Sequence, residues 1–372
     1  MGRGSAIRRS LFLGCLIMNA GISACDGESP GASGGQPAVT DAVWPTAGWS
    51  TAHPEDVGMD PAALQRFVDF TTGGWFTTRG MMVIRRGVIV AESYGAGFHR
   101  DSRHESYSVA KSFTSAVTGI AIDQGFLSGV DEKVARFYPR WQSLPAGDCR
   151  RDIELRHLML LTSGLQWEEN WINPDSFNDA RVMFDTPDKV GYVLDKPCVK
   201  PPGTAFTYST GDPALLSGVI AAATGMTAED FARKNLFGPI GISGIQWNKD
   251  AAGQTITAFG LQGTVREFAK FGYLFLRKGQ WEDQQILSRT WVEQTTSPAD
   301  EPGARPDYSY LWHLGDYNQD GERRNYFYAE GVYGQYIVVL PDEDIVLVKV
   351  ADSMTDVLTP FHISMLVNAV VD

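Results

Sequence analysis

The chain has 372 residues, of which 43% are hydrophobic and 20% charged, and its 32 basic and 44 acidic side chains leave a net charge of −12. This composition is typical of a folded globular protein and excludes collagen, coiled-coil and wholly disordered chains. The acidic balance, without a basic cluster, argues against nucleic acid as a partner, because phosphate binding needs concentrated lysine and arginine. The length predicts two domains or one large composite domain.

The N-terminal segment has the pattern of an export signal. Three arginines precede an apolar run from Leu11 to Ala24, which is too short to span a bilayer comfortably. The run ends in Ile-Ser-Ala-Cys, which resembles the lipobox of bacterial lipoproteins, where the cysteine, here Cys25, is lipidated and becomes the first mature residue. An ordinary signal peptide with a chance cysteine is the alternative. We expect residues 1–24 to be removed and the protein to be exported. It would then be a lipoprotein facing the periplasm or the extracellular side, with its N-terminal lipid as the only membrane contact.

The remaining cysteines agree with export. Cys15 lies in the signal, so Cys149 and Cys198 are left in the mature chain besides the lipidated residue. In an oxidising compartment they can form a disulfide, which would stabilise the fold by about 4 kcal/mol on the chain-entropy model. Two free buried thiols are the alternative. No spacing of cysteine and histidine resembles a zinc site, so we expect neither a metal nor a cofactor.

The first predicted elements follow a linker. Residues 25–43 are rich in glycine, serine and proline and are predicted to form a flexible tether. Asp60-Pro61 is an N-cap followed by proline at the first helical position, which predicts a helix through Phe70. The apolar runs Met81–Arg86 and Val88–Tyr94 predict two strands joined by a turn.

The rest of the chain is predicted to be helical in the middle and sheet-forming towards its end. Helical patterns occupy Ser108 to about Gln124, Leu155–Leu161, Thr186–Leu194, Pro213–Ala223, Ala228–Leu236, Val265–Leu276 and about Thr355–Val370. Strand patterns occupy Tyr308–Leu314, Gly334–Leu340 and Asp344–Ala351. Strands from both ends therefore predict one sheet-containing α/β domain from residues 44–115 and 255–372, with residues 116–254 inserted as a helical domain.

Motif searching begins with a match that fails. A Gly-x-Ser-x-Gly stands at residues 27–31, inside the predicted tether. A nucleophile elbow needs a strand before it and a helix after it, and the tether has neither. We therefore reject this match.

The informative motif is the Ser-x-x-Lys formed by Ser108 and Lys111 at the start of an apolar helix. A spacing of three places both side chains on one helical face. Serine becomes a nucleophile when a neighbour takes its proton, and lysine can do so if burial depresses its pKa. The helix N-terminus adds backbone N–H groups for a developing oxyanion. Alone the motif is weak, because a chain of this length contains on the order of one chance match.

Three further segments supply the context. They are Leu155-Arg-His-Leu-Met-Leu-Leu-Thr-Ser-Gly-Leu165, Pro201-Pro-Gly-Thr-Ala-Phe-Thr-Tyr-Ser-Thr210 and Phe237-Gly-Pro-Ile-Gly-Ile242. In this order and spacing, the segments and the Ser-x-x-Lys resemble the serine β-lactamase-like hydrolases: class C β-lactamases, D,D-peptidases, family VIII esterases and 6-aminohexanoate-dimer hydrolases. The resemblance covers about residues 44–372. It implies an α/β (α+β) fold of the β-lactamase/D,D-peptidase type, an antiparallel sheet flanked by helices with an inserted all-helical domain.

The resemblance also implies roles for three residues. Ser108 matches the acylated nucleophile, and Lys111 matches its proton-accepting partner. Tyr208 matches the family tyrosine, which acts as general base, as a phenolate or through Lys111, and protonates the leaving group. A phenol needs an adjacent ammonium to do this at neutral pH. The sequence leaves open whether Lys111 or Tyr208 is the operative base, and the two roles can belong to the coupled pair.

Two departures from the family pattern bear on the substrate. The Tyr-x-Asn motif ends in Thr210, so the side-chain amide is absent. The Lys-Thr-Gly motif, expected on an edge strand, falls at Ala329-Glu330-Gly331 and lacks the cation that holds a substrate carboxylate. Gly331 is retained, and the N–H of Val332 would be the second oxyanion donor beside that of Ser108. A register through Tyr333-Gly334-Gln335 would move this donor to Gln335, and both registers remain open.

We therefore expect a serine hydrolase that cleaves a small-molecule ester or linear amide through an acyl-enzyme. A β-lactamase or D,D-peptidase is the alternative within the same chemistry, and an envelope sensor that acylates without turnover is an alternative from another class. The resemblance implies that Trp167, Glu168, Glu169 and Trp171 lie in a loop near the substrate cleft. Tyr333 and Trp312 are candidates for another wall, since aromatic walls suit acyl or aryl groups, with plain core packing as the alternative. His157 and His313 are expected to be structural.

Overall fold

The structure is a computed structural model that describes residues 43–74, 76–173 and 175–371. The predicted signal peptide, the lipidation site Cys25 and all of the predicted tether except Val43 lie outside the described residues. Those expectations therefore stay predictions. Among the described residues, no helix combines the length and the apolar character needed to cross a membrane.

The described residues form twelve strands and eleven α-helices. The strands are β1 (Gly80–Arg85), β2 (Val88–Tyr94), β3 (His104–Glu105), β4 (Gln246–Trp247), β5 (Leu261–Gly263), β6 (Gln280–Trp281), β7 (Gln284–Gln285), β8 (Tyr308–Ser309), β9 (Trp312–Gln319), β10 (Glu322–Gly331), β11 (Gln335–Leu340) and β12 (Ile345–Val350). The α-helices are α1 (Pro61–Thr72), α2 (Val109–Asp123), α3 (Pro139–Gln142), α4 (Leu155–Met159), α5 (Asp179–Asp185), α6 (Lys189–Leu194), α7 (Gly211–Thr224), α8 (Ala228–Ala232), α9 (Val265–Leu276), α10 (Arg289–Thr295) and α11 (Pro360–Val367).

Local sequence signals account for the ends of the main helices. Helix α1 begins where predicted, because the Asp60 carboxylate accepts hydrogen bonds from the N–H groups of Ala62 and Ala63. Helix α9 begins with a capping box between Thr264 and Glu267. These caps satisfy N–H groups that the first turn of a helix leaves without partners.

Seven strands form the main sheet in the order β2-β1-β12-β11-β10-β9-β8, and every neighbouring pair is antiparallel. Strand β1 pairs with β12 from Gly80 opposite Val350 to Arg85 opposite Ile345. The two ends of the chain therefore build one sheet, as predicted.

Helices cover both faces of this sheet. On β1, Met82 and Ile84 belong to the core that contains α2 and α9, whereas Met81 and Val83 belong to the core that contains α1 and α11. Successive strand residues point to opposite faces, so this alternation places the sheet between two apolar layers. The result is a three-layer α/β arrangement, in agreement with the predicted fold class.

The predicted division into two domains stays a prediction, and its first boundary can be located in the structure. Helix α2 continues through residues 115 and 116, so the predicted boundary lies inside a helix that is buried almost along its whole length. The described residues form one compact unit by their contacts. Within residues 116–254 the described elements are helical except for strand β4, which pairs with β5 from outside that segment.

The C-terminal strands also differ from the prediction. The single run predicted at Tyr308–Leu314 is broken between β8 and β9, because Tyr310 and Leu311 have left-handed φ angles of 42° and 71°. Strand β10 was missed, since its first four residues are Glu-Arg-Arg-Asn and resemble a polar loop.

Cys149 and Cys198 are joined by a disulfide, with their Cα atoms 5.9 Å apart, as predicted. The bond ties the segment before α4 to the segment before Tyr208.

Candidate active site

A tight turn at the start of α2 presents Ser108. Tyr107 has a left-handed φ of 47°, and Ser108 is the N-cap of the helix and half-buried. A non-glycine residue with positive φ is uncommon and is found most often at functional sites. The turn places the Ser108 hydroxyl and its backbone N–H at the helix N-terminus.

The end of strand β10 lies directly against this turn. A Cβ atom on Gly331 would be 2.5 Å from the carbonyl oxygen of Ser106 and 3.1 Å from the nitrogen of Ser108. Only glycine permits this approach, which explains why the glycine of the third motif is retained. Strand β10 lies between β9 and β11, so it is not the edge strand of the sheet that was expected. Its pairing with β9 ends at Tyr328, however, and residues 329–331 pair with β11 alone.

Lys111 lies one helical turn after Ser108, and its side chain is 2% exposed. Its Nζ donates hydrogen bonds to Ser108 Oγ at 2.8 Å, to the carbonyl oxygen of Ala258 at 3.2 Å and to Thr210 Oγ1 at 3.3 Å. An ammonium has three N–H donors, and all three have neutral oxygens as partners. Burial lowers the pKa of Lys111 to about 8, although the nearby Glu169 carboxylate opposes this change.

Tyr208 completes the group. Ser108 lies close enough to lower the pKa of its hydroxyl, and Lys111 Nζ lies 5.4 Å from the centre of its ring. Burial raises the pKa of Tyr208 well above its ordinary value, and the carboxylates of Glu169 and Glu330 raise it further. The phenol is therefore protonated at neutral pH and can donate a proton. The structure brings together the three residues that the sequence singled out.

Glu169, from the loop expected near the cleft, supports these three residues through contacts that the sequence did not predict. Glu169 accepts four hydrogen bonds, from the N–H and hydroxyl of Thr210, each at 2.8 Å, and from the indole N–H groups of Trp167 at 2.8 Å and Trp171 at 2.9 Å. Thr210 thus donates to Glu169 and accepts from Lys111. A threonine hydroxyl and a carboxylate make these contacts where the family pattern has an asparagine.

The two registers for the second oxyanion donor differ in the structure. Val332 borders both cavities that open at Ser108. Gln335 borders neither and is 2% exposed, and its side-chain amide donates to the carbonyl oxygens of Val332, Tyr333 and Ala351. Gln335 therefore supports the loop from behind, whereas Val332 faces the cleft.

Two cavities meet at Ser108, and Trp171, Val332 and Tyr333 line both. The smaller, of about 140 Å³, is mostly aromatic, and its other lining residues are Tyr107, Phe184, Thr210 and Phe259. The larger, of about 410 Å³, is also mainly apolar, and its other lining residues are Ile172, Tyr208, His313, Glu330, Gly331, Gly334, Tyr336, Met354 and Val357. Trp171 and Tyr333 therefore lie at the cleft, whereas Trp312 is fully buried in the core.

The two histidines fall in different places. The His157 ring accepts a hydrogen bond from the Glu154 N–H in the first turn of α4, which is a structural role, as expected. His313 lines the larger cavity and stacks on Tyr328. Burial lowers its pKa to about 4, so it is neutral.

The sequence placed Glu330 in the third motif but could not show that it faces the cavity, because that depends on where β10 ends.

Comparison with known proteins agrees with this geometry. The sequence model of the beta-lactamase family matches residues 65–361. The chain belongs to that family. It is 22% identical over 288 residues to the 6-aminohexanoate-dimer hydrolase of Paenarthrobacter ureafaciens, and the alignment covers 74% of this chain and 72% of that protein. It is 29% identical over 182 residues to penicillin-binding protein 4 of Amycolatopsis lactamdurans, which covers 49% and 43%.

Solved structures share the fold. A Bacillus anthracis protein provisionally named a 6-aminohexanoate-dimer hydrolase aligns with a TM-score of 0.69 at 21% identity, over 87% of this chain and 86% of that one. The octameric penicillin-binding protein homologue from Pyrococcus abyssi aligns with a TM-score of 0.62 at 19% identity, over 84% and 77%. The family and the fold inferred from the motifs are therefore confirmed.

Proposed function

We propose that this protein is a serine hydrolase that cleaves small esters or linear amides through an acyl-enzyme on Ser108. The observation that carries the proposal is the 2.8 Å hydrogen bond between Lys111 Nζ and Ser108 Oγ, made by a buried lysine that forms no ion pair with a carboxylate among the described residues. Because burial brings the pKa of this amine to about 8, a useful fraction is neutral near pH 7 and can accept a proton.

The reaction follows from this arrangement. Ser108 Oγ attacks the carbonyl carbon while neutral Lys111 takes its proton, and the N–H groups of Ser108 and Val332 stabilise the oxyanion. The bond to the leaving group then breaks, and the leaving group takes a proton from the Tyr208 hydroxyl, which Lys111 restores. Water attacks the acyl-enzyme by the same steps in reverse and releases the acid and free Ser108.

The third motif supports esters or linear amides over β-lactams. The family's lysine is replaced by Ala329, and the next residue, Glu330, has its carboxyl group at the larger cavity. A carboxylate in that position repels the carboxylate that penicillins and cephalosporins carry. The similarity to penicillin-binding protein 4 is the observation that favours β-lactamase or D,D-peptidase activity as a second candidate.

The test uses the chain from Asp26 onward, with a short-chain p-nitrophenyl ester and a chromogenic cephalosporin as substrates. We expect ester turnover that Ser108→Ala abolishes, and little cephalosporin hydrolysis. Strong cephalosporin turnover would assign the protein to the β-lactamases instead. A stoichiometric burst without turnover would favour a sensor, and inactivity on both substrates would contradict the proposed substrate class.

We also propose that the enzyme is exported and anchored through lipid on Cys25. The basic N-terminal segment, the lipobox-like sequence and the Cys149–Cys198 disulfide support this, because structural disulfides persist in oxidising compartments. Expressed in a bacterium, the full chain should partition with membranes, and Cys25→Ala should release it to the soluble fraction. Wild-type protein that is soluble and keeps residues 1–24 would contradict the anchor.

A further inference from the structure

Glu330 is a carboxylate at the active-site cavity without a cationic partner in the described part of the chain. Its side chain is half-buried and accepts a hydrogen bond from the Tyr336 hydroxyl at 3.0 Å through Oε1. No ion pair joins it to a lysine, arginine or histidine among the described residues. Its other oxygen, Oε2, makes no hydrogen bond with those residues and is not sealed from solvent.

The surroundings of Glu330 add no positive charge. The described residues that line the larger cavity include no lysine or arginine, and His313 is neutral because burial depresses its pKa. Tyrosine rings from Tyr208 and Tyr336 stand beside the carboxylate. A carboxylate next to aromatic rings is a favourable environment for an ammonium group, through charge-assisted hydrogen bonds and cation–π contact.

The position of Tyr208 identifies which part of a substrate meets Glu330. Tyr208 lines the larger cavity with Glu330 but does not line the smaller, aromatic one. Because Tyr208 is the protonated group that supplies a proton to the departing atom, the leaving group must extend into the cavity that Tyr208 faces. The acyl group then occupies the aromatic pocket of Phe184 and Phe259.

We propose, building on the serine-hydrolase function above, that Glu330 forms an ammonium-binding subsite that selects substrates with a cationic leaving group. Suitable substrates are esters of amino alcohols or aminomethyl phenols and mono-amides of diamines. The same carboxylate disfavours anionic leaving groups. The net charge of −12 attracts cationic substrates over longer distances and so works in the same direction.

Three aryl butyrates of similar shape test the proposal: 4-(aminomethyl)phenyl, 4-ethylphenyl and 4-(carboxymethyl)phenyl butyrate. Their leaving groups are cationic, neutral and anionic. We expect kcat/KM to be about tenfold higher for the cationic than for the neutral ester, and lowest for the anionic one. Glu330→Gln keeps the shape and should reduce the cationic-to-neutral ratio to near one.

The control is Glu322→Gln, which removes the same charge from the exposed far end of the same strand and should keep the ratio of the wild type. Each ratio is measured on one preparation, so it does not depend on how much protein is folded. A wild-type ratio near one, or a ratio that Glu330→Gln leaves unchanged, overturns the subsite. A preference seen only when the ammonium is moved to the acyl chain overturns its assignment to the leaving group. If wild type hydrolyses none of the three esters, nor the p-nitrophenyl ester, the proposed function itself fails.

Discussion

Lys111 and Lys349 are both buried lysines, but their partners differ. Lys111 is 2% exposed and its Nζ donates to three neutral oxygens, from Ser108, Thr210 and Ala258. Lys349 is 0% exposed and forms an ion pair with Asp356, which is also buried, beside the ring of Phe76. The first lysine donates to Ser108, the proposed nucleophile, and the second lies in strand β12 and lines neither cavity at Ser108.

The difference shows how a fold distinguishes a base from a structural cation. Burial disfavours the charged form of both amines, but a carboxylate in direct contact partly offsets this effect for Lys349, whose pKa stays below its ordinary value. For Lys111 the nearest carboxylate, Glu169, acts through the Thr210 hydroxyl and not by direct contact. Keeping the counter-ion one residue away leaves Lys111 buried, ordered and still able to lose its proton.

The largest effect should come from exchanging each lysine for methionine. Lys111→Met removes the base and should lower kcat/KM for the p-nitrophenyl ester by at least about 10³-fold, close to the effect of Ser108→Ala. The paired change Lys349→Met with Asp356→Leu removes both charges away from the site and should keep activity. Equal loss of activity in folded protein from both changes would remove the distinction between the two lysines.

The stability of the fold should respond in the opposite order. Asp356→Asn leaves Lys349 buried without its counter-ion and should lower the free energy of unfolding by about 3–5 kcal/mol. Denaturant unfolding measures this change. Lys111→Met leaves no charge unpaired and should destabilise the protein by less than Asp356→Asn does, and the reverse order would contradict the assignment of Lys349 to a structural pair.

The pH dependence of kcat/KM tests the role of Glu169. Because neutral Lys111 is the base, kcat/KM should be low in acid and rise through a midpoint of about 8. Glu169 stabilises the ammonium, so Glu169→Gln should move the midpoint to lower pH, by about one pH unit. The neighbouring exposed carboxylate serves as the control, and Glu168→Gln should leave the midpoint in place. A midpoint that rises in Glu169→Gln would refute this account.

The smallest effect tests the residue between Lys111 and Glu169. Thr210→Val removes the hydroxyl that accepts from Lys111 and donates to Glu169, and should lower kcat/KM by about tenfold. Thr210→Asn restores the family motif and can make both contacts, so its activity should stay within about threefold of wild type. A valine variant as active as the asparagine variant would show that the link is not used.

Sequence patterns predicted the helices that begin with strong caps and the strands that are apolar throughout, such as α1, α9, β1 and β12. Strand patterns missed β10 because its first residues are polar and resemble a loop. Pairing with β9 and β11 holds these residues in a strand. The predicted domain boundary at residues 115 and 116 lies inside α2, which the sequence had predicted as one continuous helix. Short local signals are readable in sequence, whereas pairing between distant segments is not.

The sequence by itself determined the family and singled out Ser108, Lys111 and Tyr208 as the candidate reacting group, because they stand in motifs whose order and spacing are specific together. It also showed that the cation of the third motif is absent. Only the tertiary structure decided that Thr210 links Lys111 to Glu169 at the position of the missing asparagine, that Val332 faces the cleft while Gln335 supports it, and that Glu330 lines the cavity beside Tyr208. These outcomes depend on the packing of β10 against the turn before α2 and of the 165–171 segment against Thr210, which joins residues more than 40 positions apart.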